Sequence, residues 1–253
     1  MLDKLFFFCI SKIIFVLSKQ KNQLDWTKLY KMIKPLFPAY SDLYCSQEGE
    51  DILLKRILKK NGKGFYVDIG ALDPFRFSTT FHFYLQGWKG INIDPLPGTE
   101  TLFNKIRTRD VNLEIAISDS EKTLNYYRFT EPAFNTFTET RVSDVLLKSQ
   151  IKLIETLQIK TYRLETILDK YLPPNTVIDF LNIDVEGHEM YVLESNNWNK
   201  YNPRIILVEH LDMEFEEIFT NPLYLYLKEK NYKLLAKTKF TLFFEHVENV
   251  NLV

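Results

Sequence analysis

Phe65-Tyr66-Val67-Asp68-Ile69-Gly70-Ala71 is the stretch on which the fold turns. Its first five residues read as a buried strand carrying a single acid, and the glycine directly after it reads as a tight turn toward a helix. Toward the C-terminus, a helix is expected to open near Ser78, a good N-cap. Gly90-Ile91-Asn92-Ile93-Asp94 is the next strand, Thr99 to Arg107 the next helix, and Leu113-Glu114-Ile115-Ala116-Ile117 a third strand. Strands separated by helical patterns of this length predict βαβ units and a parallel sheet, with the C-terminal strand ends along one edge.

The middle of the chain departs from this alternation. Thr123 to Phe129 reads as an antiparallel excursion, Glu131 to Gln150 as a loop plus helix, and Ile159 to Leu164 as another strand. Alternation resumes with the strand Ile178 to Asp184, a helix through Tyr191 and Leu193, and the strand Arg204 to Glu209. Tyr232 to His246 predicts a closing antiparallel hairpin around Lys237-Thr238-Lys239. Upstream, Gln47 to Lys60 predicts a helix with Ile52, Leu53, Arg56 and Ile57 on its apolar stripe, stopped by Asn61-Gly62. Residues up to about Pro38 read as a helical lead-in, with Trp26, Leu29, Met32 and Ile33 at helical spacing. The expected division is an N-terminal helical extension over 1–40 and one α/β domain over 41–253.

Composition narrows the class. A chain of 253 residues with 45% hydrophobic content can bury a large core. A net charge of -1 gives no basic face for nucleic acid. The two cysteines, Cys9 and Cys45, form no C-x-x-C pair and no disulfide framework, which suits a cytoplasmic protein. Leu5 to Leu17 is apolar but interrupted by Ser11-Lys12, and shorter than the roughly 20 residues that span a bilayer. A packed helix, peripheral membrane contact through residues 5–17 and a cleaved signal all remain open for this segment.

Three places carry chemistry. Gly70 follows a buried strand, where the missing Cβ lets backbone approach a ligand, and Asp68 before it can accept from an ammonium or hydroxyl. Asp94 ends the second strand some twenty-odd residues later, where doubly wound folds place the acid that binds ribose hydroxyls. The loop Gly70-Ala71-Leu72-Asp73-Pro74 lacks the further glycines of a dinucleotide fingerprint and puts Asp73 where phosphate would sit. That argues against NAD and is compatible with a net-positive nucleoside. The third place is Asn182-Ile183-Asp184-Val185-Glu186-Gly187-His188-Glu189 with Glu209-His210 at the end of the next parallel strand. Asp184, Glu186, His188, Glu209 and His210 are the candidate catalytic residues, as a base or as ligands for Mg²⁺ or Mn²⁺. Each also has a plainer reading, as a turn residue, a helix-initiating acid or a polar core residue.

Val67-Asp68-Ile69-Gly70-Ala71, Asp94-Pro95, Glu114 to Asp119, Arg163 to Leu168 and Ile183 to Glu189 together resemble the FkbM methyltransferase family in order and spacing. The resemblance covers about residues 46–210. It implies a class I methyltransferase fold, Rossmann-like, with a mostly parallel central sheet. It also implies S-adenosylmethionine as donor and, in most members, O-methylation of sugars, polyketides or other natural products. By resemblance, Asp68, Gly70 and Ala71 would border the methionine part, Asp94 the ribose, and Ser118-Asp119 the adenine. The Asp184-Val185-Glu186-Gly187 segment would face a small-molecule acceptor. Tyr44 to Asp51 resembles an S-Q-x-G-x-D entry of some members, with Gln47 closing over the donor. One departure stands out: members often continue G-A-N-x-G, whereas this chain has Gly70-Ala71-Leu72-Asp73-Pro74. Tyr126, Tyr127, Phe134 and Phe137 would stack on sugar faces or belong to the core. A non-catalytic nucleoside-binding scaffold is the alternative, and the acids at Asp68, Asp94, Asp184 and Glu186 count against it.

Overall fold

Phe65, Val67 and Ile69 alternate with Tyr66 and Asp68, so the first strand presents a different set of side chains to each face. In the computed structural model of the chain, residues 26–36, 44–58, 62–147, 150–210 and 214–248 are described. The expected membrane contact of residues 5–17, and Cys9, lie outside them. No helix among the described residues is long and apolar enough to cross a membrane.

Strand β1 (Phe65–Ile69) pairs in parallel with β2 (Lys89–Ile93) on one side and β7 (Phe180–Ile183) on the other. β3 (Val111–Leu113) extends the sheet beyond β2, and β8 (Ile205–Glu209) extends it beyond β7, both in parallel. The hairpin β9 (Tyr232–Lys237) and β10 (Thr241–His246) closes it antiparallel, with β10 on the inside. The order is β3-β2-β1-β7-β8-β10-β9.

Helices cover both faces. On one, Val67, Ile69, Ile183, Ile206 and Val208 pack with residues of α6 (Leu164–Tyr171), α7 (Glu189–Glu194) and α8 (Pro222–Glu229). On the other, Tyr66, Phe180, Leu207 and Phe243 pack against Leu54 and Leu58 of α2 (Glu50–Leu58) and Phe83 of α3 (Phe81–Leu85). Each such side chain, fully buried, contributes roughly 1.5–3 kcal/mol. α1 (Trp26–Ile33) joins through Trp26, buried beside Phe81, Tyr84 and Ile106, the last on α4 (Thr99–Ile106).

Five local expectations are corrected. The predicted strand Leu113 to Ile117 is two strands: the chain leaves the sheet after Leu113, and β4 (Ala116–Ile117) pairs instead with β6 (Leu153–Tyr162). β6 also pairs antiparallel with β5 (Thr123–Phe129), giving a separate three-stranded sheet. It runs well N-terminal of the predicted Ile159 start, and Leu164 already belongs to α6. The buried residues of α2 are Glu50, Asp51, Leu54 and Leu58. Of the expected stripe, Leu53 and Ile57 pack partly buried against the core and Arg56 is exposed, while the Asp51 carboxylate accepts from the Cys45 and Ile52 amides and the Ser46 hydroxyl. Thr80, not Ser78, holds the N-cap position of α3, although Ser78 Oγ accepts the Phe81 amide at 3.2 Å. Met32, placed on the lead-in stripe, is 68% exposed.

Candidate functional site

The sheet order reverses direction between β1 and β7, and at such a point the loops after neighbouring strands part to leave a crevice. Gly70 stands there with φ +85°, and a Cβ on it would lie 1.6 Å from the Asp184 carbonyl oxygen. Glycine is therefore required by the backbone leaving β7. Gly70 and Ala71 both donate to the Ile93 carbonyl, and Asp184 N donates to Ile69, so three strand ends are laced together.

Around this seam lies a cleft with about 890 Å³ of empty space, part of it open to solvent, within the size range of cofactor sites. Its apolar lining is Ile93, Pro95, Ile115, Ala116, Ile117, Tyr126 and Phe137. Its polar lining is Asp68, Asp94, Asp184, Glu186, His188 and Glu209, with exposed Gln47. Asp94 accepts the Leu72 amide on Oδ2 and the Leu96 amide on Oδ1, each at 2.8 Å. Each oxygen keeps a further lone pair. Burial pushes its carboxyl up to about 6, opposed by those two amides. Asp68 is buried, accepting from Asn182 Nδ2 and Thr80 Oγ1, both at 2.9 Å. Burial raises its pKa, while Asn182, Thr80 and the charge of Arg107 pull it down.

On the β7–β8 side, carboxylate oxygens of Asp184, Glu186 and Glu209 lie within 4.8 Å of one another. The Asp184 and Glu209 carboxyls hydrogen-bond to each other, and burial first, then the charge of Glu186 on Asp184 and of Asp184 and Glu186 on Glu209, pushes both up. Glu186 is different. It has φ +51°, its carbonyl accepts Thr136 Oγ1 at 2.7 Å, and its carboxylate meets Arg141 Nη2 of α5 (Glu139–Leu147) at 2.5 Å. Thr138 Oγ1 holds the next carbonyl, Gly187, at 3.0 Å. A side chamber with about 340 Å³ of empty space, part of it open to solvent, shares Gln47, Phe77, Thr79, Asn182, Asp184 and Glu209 with the main cleft and adds Glu50, Phe240 and Thr241. Among the described residues, its lining includes neither Lys nor Arg.

His188 lines the cleft, stacked on Tyr191 with ring centroids 4.4 Å apart. Burial, helped by the charge of Lys122, lowers its pKa to about 4, so the imidazole is neutral near pH 7. Its Nε2 lies 3.0 Å from Ser118 Oγ, which donates to Asp119 Oδ1 at 2.8 Å. Asp119 in turn pairs with Lys122, which lowers its pKa. Ser118 and Asp119 thus stand behind His188, and the three residues before them form the cleft wall. His210 turns aside: Asn221 Nδ2 lies 2.9 Å from its Nε2, and its amide donates to Phe240. Of the other lining residues, the sequence reading quoted Asn182 and Glu50 only within longer segments, without a role of their own, and missed Thr79 and Phe77. Only Asn182 carried a signal, an amide inside an apolar strand.

A comparison with family models matches the Methyltransferase FkbM domain over residues 68–234, from Asp68 in β1 into β9. Comparisons with curated proteins and with solved structures give no match. The match spans more than half of the chain, the sheet is that of a class I methyltransferase, and the protein belongs to the FkbM methyltransferase family.

Proposed function

We propose that this chain transfers a methyl group from S-adenosylmethionine to a hydroxyl oxygen of an uncharged small molecule, a sugar or another polyol. The observation that carries the reading is a nucleoside-sized cleft, with Asp94 in its wall, opening directly onto the Asp184–Glu209 pair. The residues fit the donor. Asp94 has lone pairs left for ribose hydroxyls, Ile93, Pro95 and Ile115 to Ile117 suit a purine, and Asp68 suits an ammonium. The donor supplies an electrophilic methyl on a sulfonium.

For the acceptor, the side chamber offers carboxylates, the Asn182 amide, and Phe77 and Phe240, a set that hydrogen-bonds hydroxyls and stacks on sugar faces. With no Lys or Arg in its lining, it disfavours phosphorylated acceptors. A carboxyl pair with raised pKa values is matched to taking a hydroxyl proton near neutrality, as the oxygen forms its bond to the methyl carbon. Glu186, already paired with Arg141, is the weaker base.

Mg²⁺ or Mn²⁺ held by Asp184, Glu186 and Glu209 is the rival reading, favoured by the closeness of the three carboxylates. The experiment is methyl transfer from labelled S-adenosylmethionine to a panel of sugars and sugar phosphates, with and without EDTA. Transfer to neutral sugars, indifferent to EDTA, is expected. Loss in EDTA restored by Mg²⁺ replaces the direct base by the metal, and failure to bind the donor overturns the whole reading.

A further inference from the structure

Arg107, at the C-cap of α4, is 0% exposed and does not itself line the cleft, which it reaches only through its partners. Taking a guanidinium out of water costs several kcal/mol unless partners replace the water. Its nearest carboxylate, Asp110, is 4.0 Å away and also holds the Tyr66 hydroxyl at 2.6 Å. Nη1 donates to the Tyr66 hydroxyl of β1 at 3.2 Å, and the other close partners belong to the loop after β1. Nε and Nη2 donate to the Pro74 carbonyl at 3.2 and 2.8 Å, and Nη2 also reaches Ser78 Oγ at 2.8 Å and Thr80 Oγ1 at 3.4 Å. The rings of Phe81 and Tyr84 flank the cation at 4.8 and 4.9 Å.

That loop needs holding. Leu72 and Phe77 both sit at positive φ, 51° and 57°, which costs a non-glycine residue roughly 1–2 kcal/mol. Such strain persists only where the surroundings over-determine the backbone. From the cleft side, Asp94 takes the Leu72 amide. From behind, Arg107 takes Pro74 and Ser78, and Thr80 passes the restraint to Asp68 Oδ2 at 2.9 Å. An apolar side chain would fill the space between Phe81, Tyr84 and Phe103 at lower cost. Only a planar fork of donors can hold a carbonyl and two hydroxyls together.

We infer that Arg107 is a positioning residue of the donor site, its buried guanidinium fixing the 72–80 loop and, through Thr80, the Asp68 carboxylate. The inference rests on the donor reading above. Arg107→Lys keeps the charge and loses the fork. It is expected to weaken S-adenosylhomocysteine binding about tenfold by calorimetry, as for one lost charged hydrogen bond. Donor KM should rise with acceptor KM unchanged, and apo amide exchange over 72–80 should speed up while the core strands stay protected. Should that variant not fold, Thr80→Val decides: several-fold weaker binding is expected, with Thr80→Ser restoring it to within about twofold. A folded Arg107→Lys or Thr80→Val with wild-type affinity and wild-type exchange over 72–80 overturns the inference. Absence of binding by the wild type would sink the donor reading instead, and the exchange data would still show whether Arg107 holds the loop.

Discussion

The two sides of the cleft are both built from acids at strand ends, yet they are in opposite physical states. At the β1–β2 edge, Asp68 and Asp94 are each met by two donors, and a buried cation stands behind Asp68. At the β7–β8 edge, Asp184 and Glu209 face one another, with like charge and burial both working against ionisation. The first edge is satisfied before anything binds and offers spare lone pairs. The second is relieved only by a proton or a cation. Binding sites reward preorganisation, and proton-transfer sites reward a pKa moved toward the working pH.

The strongest challenge to this contrast is to separate the two edges where they touch. Gly70→Ala drives a methyl group into the Asp184 carbonyl and should cost roughly 4 kcal/mol or more of stability, read by urea unfolding. A stable, donor-binding Gly70→Ala protein would mean that the edges are not locked together. Next in size, Asp184→Asn and Glu209→Gln should each cut turnover by roughly two to four orders of magnitude while sparing donor affinity. Normal turnover in both would move the base elsewhere.

The same pair sets a pH dependence. Its folded pKa values are raised, so its contribution to stability is complete below the unfolded carboxyl values near 4 and is lost as pH rises through the folded ones. Thermal midpoints should fall from mildly acidic toward alkaline pH, and Glu209→Gln should flatten that slope. A slope unchanged in Glu209→Gln would show that the repulsion is not felt.

On the satisfied edge, Asp94→Ala should weaken donor binding by about 1.5–3 kcal/mol in calorimetry. In the intact protein, affinity should decline as pH drops through about 6, where Asp94 takes up its proton. The smallest effect is expected from Arg76→Ala. Its ion pair with Glu131 joins the 72–80 loop to the Pro132–Phe134 turn, but the side chains are 45% and 35% exposed. The loss should stay below about 1 kcal/mol, and a larger one would show the cleft walls to be more tightly coupled.

The architecture was legible wherever a pattern repeats locally. Apolar strands with Asp68, Asp94, Asp184 and Glu209 at or near their ends announced both the parallel sheet and the edge at which these acids gather. What escaped depended on partners distant in sequence. The reason for Gly70 is a carbonyl on the Asp184 backbone, and the break between β3 and β4 depends on pairing with β6. Arg107 and Asp51 escaped because charged residues read as solvent-facing until their buried partners are known. His210 sat beside the right residues in sequence, but its ring went to Asn221.

The position of β10 has a consequence for the order in which the protein comes into being. The last strand in sequence is not the last in the sheet: it wedges between β8 and β9. A growing chain therefore exposes the free edge of Ile205-Ile206-Leu207-Val208 until β10 emerges, and an apolar bare edge invites misplaced pairing. While that edge is bare, Asp68, Asp94 and Asp184 have all been synthesised, but Phe240 and Thr241, which wall the side chamber, have not. During synthesis the acids of the main cleft are in place first, and the residues that close the side chamber follow.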